Sequence, residues 1–122
     1  MRKNKIQLTP IEFPVIDGFI HYFVEHDIER AHAFLRTKGL DKDDVPSGRG
    51  MTMKMSDGNP IVWMKSKKRN IVVHEMIHAV MALFEGIGVD EITRDNDEFF
   101  AYFVDYSVDQ VIHSSSTGGR VL

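Results

Sequence analysis

Residues 70–86 read NIVVHEMIHAVMALFEG, and the fold turns on how that stretch is read. Val72, Val73, Met76, Ile77, Val80, Leu83 and Phe84 place apolar side chains around most of a helical circumference, so the helix belongs in the centre of a domain. Its polar interruptions, His74, Glu75 and His78, are costly to bury unless they bind something. Residues four apart are neighbours on an α-helix, which lets both imidazoles reach one ion. Glu75 follows the first histidine directly, where it can take a proton from a bound water. H-E-x-x-H at this spacing is a two-histidine metal clamp with a carboxylate beside it. Ala79 and Ala82 are small enough to admit a neighbouring element. Asn70 is the expected N-cap, and Gly86 or Gly88 the left-handed stop.

A catalytic zinc takes three protein ligands and keeps a fourth position for water. After the Gly86-Ile-Gly88 break, residues 89–96 form a polar loop, and a second helix is expected from Asp97 to about Ile112. Glu98 lies in its first turn, twenty residues after His78, and is the leading third ligand. Asp95 and Asp97 follow it, and His113 is more distant. With Asp95 as N-cap, Glu98 would also be the last member of a capping box. Phe99, Phe100, Phe103, Val104 and Val108 would pack this helix back on the first.

His74-Glu-Met-Ile-His78, followed by Asn96-Asp-Glu-Phe-Phe-Ala-Tyr102, resembles the gluzincin group of zinc metallopeptidases, and more narrowly small zincin-like proteins encoded by bacteriophages. The resemblance implies Zn2+ held by His74, His78 and Glu98, with Glu75 as general base in the hydrolysis of a peptide or protein substrate. A phage origin would put the protein in the host cytoplasm or in association with the virion. Tyr102, four residues beyond Glu98, is the candidate partner for the tetrahedral oxyanion, and Tyr106 is second. Asp105 is a candidate acceptor for the free N–H of a ligand histidine. The rival reading is a metal-stabilised structural or binding protein without turnover, such as a virion or assembly component. A metal-free helical unit in which Glu98 only caps is a third.

At 122 residues the chain is sized for one domain, expected over residues 1–113 with a flexible tail at 114–122. A formal net charge of −3 gives no reason to expect nucleic acid. The basic run Lys65-Ser-Lys-Lys-Arg69 reads as a solvated turn. The absence of cysteine leaves histidine and carboxylate to hold any ion. No apolar run has the length of a signal peptide or a membrane span, so a cytoplasmic protein is expected.

Upstream, residues 1–10 read as a loose arm. A strand is predicted over residues 19–25, then a helix capped by Asp27 and running to about Lys38. A polar connection over residues 41–50 leads to a hairpin whose arms are residues 51–55 and 61–65. Trp63 is assigned to the core. The predicted class is α+β: a minimal zincin-like domain with a short β-sheet packed on the buried H-E-x-x-H helix and on the Glu98 helix. An edge strand beside the first of these helices would bind an extended peptide by strand addition.

Overall fold

A computed structural model describes residues 5–39 and 48–114. Most of the arm over 1–10 is included, whereas most of the 41–50 connection and nearly all of the tail lie outside the described residues. The elements are β1 (Thr9–Glu12), β2 (Phe19–Val24), α1 (Ile28–Thr37), β3 (Gly50–Lys54), β4 (Pro60–Met64), α2 (Arg69–Gly86) and α3 (Asp97–Ile112). The class is α+β. The sheet order is β1-β2-β4-β3, with β2 and β4 parallel and both outer pairings antiparallel.

Every residue of β4 is buried, as a strand covered on both faces requires. Ile61 and Trp63 join Phe23, Ala31 and Leu35 beneath α1. Val62 and Met64 join Ile20 and Tyr22 beneath α2 and α3. Pro60 opens the strand at a position where a missing N–H is tolerated. The hairpin turn closes through Met55 N–H to the Asn59 carbonyl, and Gly58 takes the positive φ of 89° that it needs.

β1 corrects the expectation of a loose arm. Pro10 reads as a strand breaker, but β1 is an edge strand, where proline is tolerated. α1 follows the sequence closely: Asp27 caps it, its carboxylate accepting from the N–H groups of Glu29 and Arg30.

α2 starts one residue before Asn70. Its N-cap is Lys68, whose carbonyl accepts from Ile71 and Val72, and no side chain caps it. At the other end Gly88 has φ 93°, Gly88 N–H donates to the Glu85 carbonyl, and Val89 N–H donates to the Phe84 carbonyl. That pair of bonds, with Val89 and Phe84 in one apolar cluster, is a Schellman stop. α3 is flanked by Asn96 rather than Asp95, and no side chain caps it either. The Asn96 amide is committed to the preceding loop, accepting from Thr93 N–H and donating to the Glu91 carbonyl. The expected capping box between Asp95 and Glu98 is therefore not formed.

α3 docks on α2 through aromatic rings. Phe103 is fully buried, stacked on Phe13 at 4.7 Å and edge-on to Phe84 and Phe99 at 5.4 and 4.7 Å. Among the described residues no helix is long and apolar enough to cross a membrane. Phe103→Ala is expected to destabilise the fold by about 3–5 kcal/mol, read from urea denaturation; a loss under about 1 kcal/mol would mean that α3 is not anchored there.

Candidate metal centre

The alternation of β3 decides what lies beside α2. Met51 and Met53 pack toward α1. Gly50 and Thr52 pair with Met64 and Val62, on the sheet face that carries α2. β3 is the last strand of the sheet among the described residues, and no described strand pairs with its outer edge. Between β3 and α2 runs a groove of about 520 Å³, with Gly50, Thr52 and Lys54 on one wall and His74, Glu75, His78 and Glu85 on the other.

His74 and His78 are exposed in this groove, their ring centroids 4.9 Å apart and their planes at 71°. Glu75 is only 6% exposed. Its Oε1 accepts a hydrogen bond from the Thr52 hydroxyl at 3.0 Å. A Cβ at position 50 would come within 2.7–2.9 Å of the Glu75 side chain, so any residue larger than glycine there must displace that carboxylate. Burying a carboxylate is costly unless it is hydrogen-bonded, and Thr52 supplies the donor. Farther along, Lys54 and Glu85 approach to 3.6 Å across the groove, both well exposed. Such a surface pair contributes little stability.

The other predicted site residues stand elsewhere. Glu98 is exposed and does not line the groove. It precedes the fully buried Ser107 by nine residues, about two and a half turns, so the two point to opposite faces of α3. Tyr102 is 55% exposed, its ring 6.3 Å from Tyr106. It lines a separate hollow with Arg69, Val73 and Asp105. Tyr106 donates to the Glu12 carbonyl and thereby ties α3 to β1. Asp95 and Asp97 are exposed at the start of α3, and His113 sits at its far end, 3.0 Å from the Asp109 carboxylate. Among the described residues, no three histidine, aspartate or glutamate side chains gather as a metal cage.

The structure thus brings together His74, Glu75 and His78, and not Glu98 or Tyr102. It adds Gly50 and Thr52. Their signal was the period-two pattern of β3, which puts both on the face opposite the methionines. Two adjoining exposed imidazoles are a donor set that suits zinc and other borderline divalent ions, so the residues present fit part of such a site. Comparison of the chain with protein-family models, curated proteins and solved structures finds no match.

Gly50→Ala is expected to cost about 1–3 kcal/mol through overpacking against Glu75. In a double-mutant cycle most of that cost should vanish in a Glu75→Ala background. Additive losses in urea denaturation would show that the two positions do not touch.

Proposed function

We propose that the protein is a small zinc-dependent peptidase of zincin-like type. The observation that carries the reading is the pair of exposed imidazoles in a groove whose back wall holds a buried, hydrogen-bonded carboxylate. His74 and His78 would hold the ion. When bound, zinc supplies Lewis-acid activation of water and of a carbonyl oxygen.

The outer edge of β3, which no described strand covers, would offer backbone N–H and C=O groups to an extended peptide lying along the groove as an added strand. Glu75 accepts the proton of the attacking water and returns it to the leaving amine. Thr52, bonded to one carboxylate oxygen, fixes the rotamer of Glu75 and leaves the other oxygen for the proton. Glu98 is proposed as the third ligand on the strength of its spacing from His78. It does not line the groove or gather with the histidines, so it can join them only if the first turn of α3 reorients. Glu85 is the other carboxylate that lines the groove, beside Glu75.

The second reading, a metal-stabilised binding module without turnover, draws support from Tyr102, the expected partner of the oxyanion, standing outside the groove.

Metal analysis of protein purified without added metal separates these readings. About one zinc per chain is expected, lost in His74→Ala and retained in Glu75→Gln. A fall in Glu98→Gln but not in Glu85→Gln would assign the third ligand to Glu98; the converse would assign Glu85. Cleavage of an unstructured protein substrate should drop by about 10²-fold or more in Glu75→Gln. Zinc without cleavage in the wild type would favour the binding module. No metal uptake, even with zinc offered at neutral pH, would remove both.

A further inference from the structure

The parallel pair β2–β4 creates a second concave site, away from the histidines. The chain leaves β2 to form α1 on one face of the sheet and leaves β4 to form α2 on the other. Adjacent parallel strands whose connections diverge in this way leave a crevice beyond their carboxyl ends, the place where open α/β sheets bind ligands. Here it is a cleft of about 880 Å³, within the range of small-molecule sites.

Its lining is cationic. Lys5, Arg30, Lys65 and Lys67 border it against a single carboxylate, Glu25, in a chain whose formal net charge is −3. Glu25 does not neutralise the set: one of its oxygens pairs with Arg30 at 3.1 Å and the other accepts from Asp27 N–H. Lys5 and Lys65 have no carboxylate partner among the described residues. The Lys67 ammonium donates to the Ser114 carbonyl at 2.8 Å, which leaves its other two N–H groups for a ligand, and burial pulls its pKa below the usual lysine value.

A second observation points the same way. Tyr22 borders the cleft, and on its other side a smaller hollow with Asp109 and His113; it is 2% exposed, and its hydroxyl is buried with no hydrogen-bond partner among the described residues. Buried hydroxyls are normally paired, and an orphan marks a place where a ligand group can complete the bond.

The geometry points to an anion-binding site at the carboxyl ends of β2 and β4 that takes a small phosphate-bearing molecule. Its phosphate lies between Lys65 and Lys67, and Tyr22 donates to it or to an adjoining oxygen. Lysine recognises phosphate as a point charge, and a multiply charged anion best uses several such groups converging on one cleft. This site is independent of the proposed peptidase chemistry and uses none of its residues.

The test is a titration of the full chain, with chelator present, by inorganic pyrophosphate at constant ionic strength, followed by amide NMR. Saturable shifts are expected at residues 25–27 and 65–68, with affinity reduced about tenfold or more in Lys65→Glu and in Lys67→Ala. Tyr22→Phe should weaken binding while keeping the fold, which the same spectra report. His74→Ala should leave the titration unchanged. Lys65→Glu keeps the test decisive should Lys67→Ala unfold. Shifts that never saturate, or that survive Lys65→Glu, would overturn the proposal. So would a single-stranded oligonucleotide that binds the same residues more tightly than pyrophosphate with a steep salt dependence, which would assign the cations to nucleic acid.

Discussion

The five residues of β4 send side chains alternately into two cores, and neither core closes without the other. Ile61 and Trp63 complete the cluster under α1, while Val62 and Met64 complete the one under α2 and α3. Burial of this one strand on both faces forces helices onto both sides of a small sheet. It also requires the strand to be internal, flanked by β2 on one side and β3 on the other. The Trp63 indole ties the arrangement to the first βα connection by donating to the Glu25 carbonyl at 2.7 Å. A buried N–H of this kind is expensive to leave unpaired, so the course of the chain after β2 is coupled to the packing of β4.

From that constraint the groove follows. A hairpin partner of β4 must be the edge strand, and an edge strand on the α2 face must pass close to the side of α2 that looks past the sheet. Glu75 is on that side. The close passage leaves no room for a side chain at position 50 and sets the Thr52 hydroxyl against the carboxylate. One turn of helix thereby presents two kinds of group, a carboxylate held in protein and imidazoles left in water. A metal clamp needs accessible ligands, and a base needs a fixed orientation; the α2–β3 contact provides both conditions.

α2 and the hairpin were legible in the sequence because their periodicity is strong, and a left-handed stop at Gly86 or Gly88 because only glycine takes that φ cheaply; the structure selects Gly88. Trp63 and the Asp27 cap were legible for similarly local reasons. What escaped was decided by competition between local options. The amide of Asn96 could cap α3 or tie the loop before it, and the loop took it. Thr9-Pro10 could break the chain or edge a sheet, and β2 offered an edge. The spacing of Glu98 is visible in the sequence, whereas its direction depends on which face of α3 is buried. The apolar positions 100, 103, 104, 108 and 111, with the small Ser107, fix the buried face of α3, and Glu98 falls opposite their centre. Phe99, which suggested a broader apolar face, is 44% exposed.

The first turns of the three described helices differ in a way that bears on the rest of the chain. α1 begins with the Asp27 cap and Glu29, and α3 carries Asp97 and Glu98. Both set negative charge at the positive end of the helix dipole, a favourable placement worth about 0.3–1 kcal/mol per charge. Glu98 has a structural reason to be where it is, whatever else it does. α2 reverses the rule. It has no acidic residue in its first turn and no side-chain cap, and Lys67, Lys68 and Arg69 crowd the end that already carries positive potential. α2 tolerates that cost because Val72, Met76, Ala79 and Val80 are fully buried, and burial of such side chains contributes roughly 1.5–3 kcal/mol each for the larger ones. A helix secured by its core can carry unfavourable charge at its end, and among the described residues Lys65 beside the crevice meets no carboxylate. Local propensity and global packing conflict at that terminus, and such conflicts are expected where a site has been built into a fold.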